Sequence, residues 1–280
     1  MGSANEGVKI ADKMPNSQAD PDQLARESLS KIKNKFIVMS GKGGVGKTSA
    51  AVNLSIALAN QGHKVGLMDV DLHGPDIPRM LGLEGMLIVT SKGKILPQRF
   101  SSNLSAVSIE SLMPDKDEAV IWRGPLKHSA IRQFVGEVQW GSLDFLIIDS
   151  PPGTGDEPLT IAQLIKDARA IIVTTPQEVA LGDVRKSINF CKRVNMEIFG
   201  LIENMSGFQC PHCHEMVDLF GTGGGEKTAA ITGIPFLGKI PFDSRMVACG
   251  DSGTPYQNMH KDTTVSKSFL EVAQKMGEAT

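Results

Sequence analysis

A glycine-rich stretch with two lysines offers the clearest chemistry in this sequence. Residues 40–48 read SGKGGVGKT and fit the pattern G-x-x-x-x-G-K-[ST]. The glycines let the backbone approach an anion, and successive N–H groups at a helix N-terminus can hold it. In this pattern the lysine reaches the β- and γ-phosphates and the hydroxyl ligates Mg²⁺. We therefore predict a nucleotide-binding loop formed by Gly41, Lys42, Gly43, Gly44, Val45, Gly46, Lys47, Thr48 and Ser49.

A carboxylate at the end of a second strand is expected to complete the Mg²⁺ site with Thr48. Asp149 fits this role, because it follows the apolar run FLII and precedes the loop SPPGTG. Gly153 or Gly155 in that loop can present a backbone N–H to the γ-phosphate. Such a loop is expected to order with ATP and relax after hydrolysis. The sequence therefore predicts an ATP-dependent switch beside the metal.

Two further carboxylates, Asp69 and Asp71, end another predicted strand. Alternate side chains of an extended segment point to opposite sides. We assign Asp71 to the attacking water and Asp69 to the metal shell, with the alternative that one of them is a solvated turn residue. Lys42, Lys47 and Asp71 are then the catalytic candidates.

The base of the nucleotide is expected to lie near Asn204, whose amide can meet the edge of adenine. GTPases that read guanine this way carry an aspartate three residues later, but position 207 is Gly207, so ATP is favoured over GTP. Pro241, after the last predicted strand, is assigned to the same nucleotide site.

The four cysteines include one pair with metal-ligand spacing, Cys210-Pro-His-Cys213. Two thiolates make half a site, since Zn²⁺ and [4Fe–4S] clusters usually take four ligands. The pair is open to three interpretations: a metal or cluster shared by two chains, an intrachain site, or a redox-active dithiol. The intrachain site would be completed by residues from this set: Cys191, His212, His214 and Cys249.

Composition excludes several classes of protein. The 280 residues carry a net charge of −2 and only 5% aromatic residues, which argues against a nucleic-acid surface. No apolar run reaches membrane-spanning length and no signal peptide is visible, so we expect no membrane partner. Four cysteines in so long a chain do not indicate a disulfide scaffold, which favours a cytoplasmic location.

Apolar strands alternate with helices along the chain, which predicts an α/β domain with a mostly parallel sheet covered by helices on both faces. We expect a disordered segment over 1–21 and one P-loop ATPase domain over 22–280, with a cysteine loop over 205–225. Predicted strands are 36–39, 64–68, 143–149, 168–175, 198–203 and 235–240, with a hairpin and one more strand within 86–109. Predicted helices are 22–33, 48–60, a short one ending at 81, 125–138, 157–167, 178–194, 226–232 and 263–276.

Four motifs together resemble one known family. They are GKGGVGKT from Gly41, DVDLHGP from Asp69, DSPPGTGD from Asp149 and ENMSGFQCPHC from Glu203. They resemble the Mrp/ApbC family of iron–sulfur cluster carrier ATPases, within the MinD/ParA-like class of P-loop NTPases, over roughly residues 30–276. The resemblance implies a homodimer with a [4Fe–4S] cluster bridged by Cys210 and Cys213 of both chains, and transfer of that cluster to apo iron–sulfur proteins. It also implies that Lys42 reaches the nucleotide of the partner chain.

Two alternatives remain open at this point. The chain can be a MinD- or ParA-type spatial switch, although its last helix carries few basic residues and is better explained as a core helix. It can also be an ATPase whose cysteine pair holds structural zinc, because a shell of four thiolates suits Zn²⁺ as well as a cluster.

Overall fold

The computed structural model describes residues 21–72, 74–112, 124–210, 212–213 and 215–279. The predicted disordered segment over 1–21 falls on residues outside this part of the chain, except for Pro21, which begins the first helix. His73 and His214, named above in motifs or candidate sites, also lie outside the described residues.

Helices and strands alternate over most of the chain. The helices are α1 Pro21–Leu29, α2 Lys47–Asn60, α3 Ile77–Leu81, α4 Gly124–Glu137, α5 Asp156–Leu164, α6 Glu178–Arg193, α7 Gly224–Thr232, α8 Arg245–Ser252, α9 Tyr256–Met259 and α10 Thr264–Glu278. The strands are β1 Ile32–Met39, β2 Val65–Asp69, β3 Ile88–Val89, β4 Ile95–Leu96, β5 Gln98–Arg99, β6 Leu104–Ser108, β7 Leu143–Asp149, β8 Arg169–Thr174, β9 Glu197–Gln209, β10 Met216–Val217 and β11 Phe236–Phe242.

Nine strands of the described residues form one sheet in the order β10-β9-β8-β1-β7-β2-β6-β5, with β11 also paired to β9. The pairs of β1, β2, β7, β8, β9 and β11 with one another are parallel, while β5 and β10 add antiparallel edges. Parallel strands end at one edge of a sheet, and loops at that edge form ligand sites in open α/β folds. The predicted site residues therefore converge on this edge.

Helices cover both faces of the sheet, as the unbroken apolar strands predicted. Successive residues of β1 alternate between the layers: Phe36 and Val38 pack with α2 and α10, while Ile37 and Met39 pack on the other side, with α4 and α5. The strand period of two thus supplies two cores from one run of apolar residues.

The C-terminal helix belongs to the core. Val265, Phe269, Val272 and Met276 of α10 are buried against α2 and β11, as the sequence predicted. This helix therefore offers no free apolar face for a membrane surface.

Several features differ from the sequence prediction. Helix α1 ends at Leu29 and β1 begins at Ile32, whereas the sequence predicted a helix over 22–33 and a strand from 36. Strand β9 continues past residue 203 to Gln209, although Met205 and Gly207 both have positive φ angles of 56° and 78°. Helices α8 and α9 occupy a stretch without predicted elements, and Cys249 lies in α8. Glycines and a proline in this stretch, among them Gly250 and Pro255, hide the short helices from pattern reading.

Candidate functional site

The glycine-rich loop joins β1 to α2 at the carboxyl edge of the sheet. Gly44 and Gly46 have φ angles of 78° and 82°, which glycine adopts without strain. Helix α2 begins directly after Gly46, so its first N–H groups face the loop. Gly41 is required for another reason, because a Cβ at that position would overlap the backbone of Asp183 in α6. This contact with α6 had no signal in the sequence.

Lys47, Thr48 and Asp149 lie together at the mouth of the loop. Lys47 Nζ donates to Asp149 Oδ1 at 2.6 Å, and Thr48 Oγ1 donates to Asp149 Oδ2 at 2.7 Å. Burial raises the pKa of Asp149, and the charge and hydrogen bond of Lys47 offset only part of that effect. Hydroxyl and carboxylate oxygens are the donors that Mg²⁺ prefers, so this pair fits a magnesium shell completed by phosphate and water.

Asp69 and Asp71 have different surroundings. Asp69 is fully buried and accepts hydrogen bonds from the backbone of Asp71 at 3.2 Å and Ile77 at 3.3 Å, and from Ser108 Oγ at 3.2 Å. Burial, and after it the charge of Asp149, raise the pKa of Asp69 well above its ordinary value. The carboxylate of Asp71 instead lies 3.8 Å from Lys47 Nζ. The geometry thus places Asp71 beside Lys47, whereas Asp69 holds the loop after β2 through its hydrogen bonds.

The remaining loop candidates are Lys42 and Gly153. Lys42 is half-buried and, among the described residues, has no ion-pair partner. The Gly153 N–H, predicted for the γ-phosphate, donates to Ser40 O at 2.8 Å in this structure. The loop after β7 is therefore fastened to the end of β1 at the point where the phosphate is predicted to lie.

Asn204 packs against the glycine-rich loop. Its side-chain N–H donates to Val45 O at 2.9 Å, and a Cβ at Gly46 would overlap its amide nitrogen. Asn204 is paired with Ile240 across β9 and β11, which brings the neighbouring Pro241 to the same edge.

Pro241 lines a cavity of about 630 Å³ beside this edge. Phe208, Cys210 and Phe242 line it as well, so it reaches the first residue of the cysteine pair. Its polar wall includes Asp243, which accepts hydrogen bonds from Arg245 and from Tyr256 Oη at 2.6 Å. Burial alone would raise the pKa of Asp243, but these hydrogen bonds outweigh it and lower the pKa to about 2. The cavity thus offers apolar surface with a fixed carboxylate.

The cysteine pair lies beyond the end of β9 at the surface. Cys210 is half-buried and Cys213 is exposed, and the Cys210 N–H donates to Glu215 O at 2.9 Å. Backbone N–H groups of Cys213 and His212 lower the pKa of the Cys210 thiol, which favours the thiolate that binds metals. The pair is therefore accessible and chemically suited to ligation.

The other two cysteines lie in the cores. Cys191 is fully buried with its sulfur 3.7 Å from that of Met39, and burial raises its pKa to about 12. Cys249 is buried in the opposite core. In the part of the chain that the structure describes, no three His, Cys, Asp or Glu side chains are grouped to hold a metal. The intrachain interpretation finds no support among these residues.

Comparison with known proteins adds an independent finding. Residues 31–277 match the family described as "ParA: NUBPL iron-transfer P-loop NTPase". An iron-sulfur cluster carrier protein of Methanocaldococcus jannaschii is 49% identical over 261 residues, which cover 93% of this chain and 89% of the relative.

Solved structures agree with this match. The nucleotide-binding protein of Archaeoglobus fulgidus in complex with ADP is 39% identical and covers 85% of this chain and 93% of its own, with a TM-score of 0.74. The cell division ATPase MinD of Pyrococcus furiosus covers 88% of this chain and 99% of its own with a TM-score of 0.64, and at 22% identity it shows the fold alone. The MinD-like fold predicted from the sequence is confirmed. No helix in the described part of the chain has both the length and the apolar character needed to cross a membrane.

Proposed function

The chain belongs to the family of ParA-type, NUBPL iron-transfer P-loop NTPases, and from this premise we propose that it is an ATP-hydrolysing carrier of [4Fe–4S] clusters. The observation that carries the proposal is the accessible pair Cys210 and Cys213, which follows β9, the strand whose Asn204 contacts the glycine-rich loop. The cluster is the cargo, held between two copies of the chain and delivered to apo iron–sulfur proteins. The reduced thiols that it needs agree with the cytoplasmic location expected from the sequence.

The nucleotide roles follow from the contacts at the loop. Lys47 binds the β- and γ-phosphates, and Thr48 and Asp149 hold Mg²⁺, which neutralises phosphate charge when bound. Asp71 orients the attacking water, since its carboxylate lies 3.8 Å from the Lys47 ammonium. Adenine is placed near Pro241 and Asn204, which the pairing of β9 with β11 brings to the same edge of the sheet.

Lys42 is proposed to act on the second chain. Lys47 already supplies a cation to its own loop, and the side chain of Lys42 has no ion-pair partner among the described residues. In a two-fold dimer each Lys42 would neutralise charge on the nucleotide of the other copy, as an arginine finger does. The same dimer brings two cysteine pairs together and gives the four thiolates that a cluster takes.

Anaerobic reconstitution with iron and sulfide tests the proposal. The wild type should bind about four irons and four sulfides per two chains, in line with the four-ligand cluster, and activate an apo-ferredoxin. Cys210→Ala should bind no cluster while retaining ATP affinity, and Cys249→Ala, which removes a buried thiol away from the loop, should behave as the wild type. A Cys210→Ala protein that still holds a stable cluster contradicts the proposal.

Zinc is the competing occupant of the cysteine pair. Metal analysis of protein purified without oxygen decides between the two, because aerobic isolation can itself replace a cluster with zinc. Stoichiometric zinc with no iron or sulfide, in protein that cannot be reconstituted, would favour the structural-zinc interpretation.

A further inference from the structure

Glu203 is a buried carboxylate to which the sequence assigned no role. It ends the regular part of β9, has no exposed surface, and receives three hydrogen bonds. Ser206 Oγ and the Gly223 N–H donate to Oε1 at 2.5 and 2.8 Å, and the Gly225 N–H donates to Oε2 at 2.5 Å. A buried carboxylate needs such donors, so the three contacts make Glu203 a fixed anchor.

These donors belong to both ends of the cysteine loop. Ser206 precedes Cys210, while Gly223 and Gly225 lie where the chain returns and begins α7. The first residues of α7 receive no hydrogen bond from a capping side chain of their own, so Glu203 supplies the negative group that a helix N-terminus favours. Ser206 Oγ also lies 3.2 Å from Thr222 Oγ1, which ties the two ends directly. Glu203 thus closes the base of the loop that carries the cysteine pair.

The next two residues contact the nucleotide loop instead. Asn204 donates to Val45 O, and a Cβ at Gly46 would lie 3.7 Å from the Met205 side chain as well as overlapping Asn204. Three consecutive residues of β9 therefore touch the two functional loops, Glu203 the cysteine loop and Asn204 with Met205 the nucleotide loop.

The backbone is irregular at this junction. Met205 has a φ of 56°, which is unusual for a residue with a side chain, and Gly207 follows with 78°. The pairing of β9 with β11 shifts its register between Ile240 and Phe242, directly opposite. A side chain at Gly207 would press on Met216 of β10, so the irregular segment also touches the far side of the cysteine loop. Strained backbone of this kind is found in segments that change conformation.

We propose that Glu203 is a positioning residue that couples the nucleotide state to the cysteine pair. When nucleotide repositions Val45 and Gly46, the Asn204–Met205 contact moves the end of β9, and the Glu203 anchor moves both ends of the cysteine loop. This coupling rests on the proposed carrier function, in which nucleotide controls how the thiols hold their cargo. Coupling between two sites is reciprocal, so ligation of the thiols also changes nucleotide affinity.

Alkylation of the apo-protein measures the coupling. The rate at which N-ethylmaleimide labels Cys210 and Cys213 is measured by peptide mass spectrometry without nucleotide, with ADP and with AMP-PNP. The oligomeric state is recorded in the same samples. The wild type at monomeric concentration should change its labelling rate about fivefold between states, a usual size for coupling. Glu203→Gln should bind AMP-PNP normally but lose this nucleotide dependence.

Two variants refine the test. Glu226→Gln removes an exposed carboxylate from the first turn of α7 that pairs with Lys239, and it should retain the full nucleotide dependence. Ser206→Ala leaves the two backbone donors of Glu203 in place, so this variant should lose only part of the nucleotide dependence of labelling.

Several outcomes overturn the inference. The inference is wrong if saturating AMP-PNP does not change the labelling rate of the wild-type monomer. It is also wrong if Glu203→Gln keeps the wild-type ratio of labelling rates with and without AMP-PNP. A Glu203→Gln protein whose labelling rate rises by the same factor in every nucleotide state contradicts the inference as well, because Glu203 would then only hold the loop. If the wild type still binds a cluster in these cases, the carrier function stands without the coupling. If the wild type binds no iron and sulfide, the carrier function is wrong even when nucleotide changes the labelling rate.

Discussion

The nucleotide loop and the cysteine loop lie at the same edge of the sheet but differ in how far one chain completes them. Lys47 is buried and held by Asp149, and Asn204 closes over the loop from β9. The cysteine loop is open: Cys213 is exposed, as are Met216 and Leu219, with 61% and 52% of their surfaces free. In the proposed function, one chain therefore builds most of the nucleotide site but supplies only two of the four thiolates of a cluster, and a second chain supplies the other two.

Exposed apolar residues beside the thiols support the same conclusion. Met216, Val217 and Leu219 follow Cys213 in the chain and are exposed, and exposed apolar residues that cluster into a patch commonly mark interaction sites. The nucleotide loop has no comparable patch in the described residues, since Val45 is its apolar side chain and is buried. The predictions below alter one region while the other serves as the reference.

The largest effect is expected at Lys42, which is proposed to act on the nucleotide bound by the partner chain. Lys42→Ala should lower the ATP hydrolysis rate about 10³-fold, the usual loss for a cation supplied across an interface, while ATP affinity of the monomer stays unchanged. Steady-state hydrolysis and calorimetry measure the two quantities. Lys92→Ala, at an exposed lysine far from the loop, is the matched control. A fall in monomer affinity as steep as that of Lys47→Ala would place Lys42 in its own site.

Lys47→Ala should act on binding itself. Its ammonium lies at the mouth of the glycine-rich loop, so we expect about a 100-fold loss of ATP affinity from the missing charge-assisted contacts. Calorimetric titration gives the affinity, and iron and sulfide content after reconstitution should remain at the wild-type level. Loss of the cluster in this variant would show that the two regions are not separable.

The sequence was sufficient for most of the fold and for bringing Lys47, Thr48 and Asp149 together at the glycine-rich loop. Apolar strands and the pattern SGKGGVGKT specify local structure, and Asp149 follows from the ends of parallel strands. Glu203 could not be assigned, because two of its donors, Gly223 and Gly225, come from a segment whose return path depends on tertiary packing. The continuation of β9 through Met205 was missed for a similar reason, since a left-handed residue inside a strand is fixed by its neighbours rather than by its own preference.

Truncation at the base of the cysteine loop should cost stability, whereas truncation at its tip should not. Glu203→Ala leaves the Gly225 N–H buried without its acceptor, and we expect a loss of about 2 kcal/mol in the free energy of unfolding. Met216→Ala, on the exposed side of the same loop, should change it by less than about 0.5 kcal/mol. Urea denaturation of both variants measures the contrast. Equal losses would mean that the tip of the loop is as firmly packed as its base.

The smallest effect is expected at Asp243, in the wall of the cavity that Cys210 also lines. Its pKa is lowered to about 2 in the folded chain, below the value of about 4 for an unfolded aspartate. The group therefore stabilises the fold above pH 4 and loses this contribution as the pH falls towards 2. Partial exposure screens the effect, so we expect at most about 1 kcal/mol.

Asp243→Asn isolates this contribution. The variant keeps an acceptor for Tyr256 but cannot titrate, so its unfolding free energy should decline less between about pH 4 and pH 2 than that of the wild type. Parallel curves of unfolding free energy against pH for the two proteins would show that the contacts with Arg245 and Tyr256 do not lower the pKa of Asp243 in solution.

The stoichiometry of the reconstituted protein tests the central claim most directly. Native mass spectrometry under anaerobic conditions, combined with iron and sulfide analysis, reports how many chains hold one cluster. The account predicts two chains per [4Fe–4S] cluster, and a return to monomers without iron in both Cys210→Ala and Cys213→Ala. A cluster or a zinc ion held by a single chain, in a protein that stays monomeric, would contradict it.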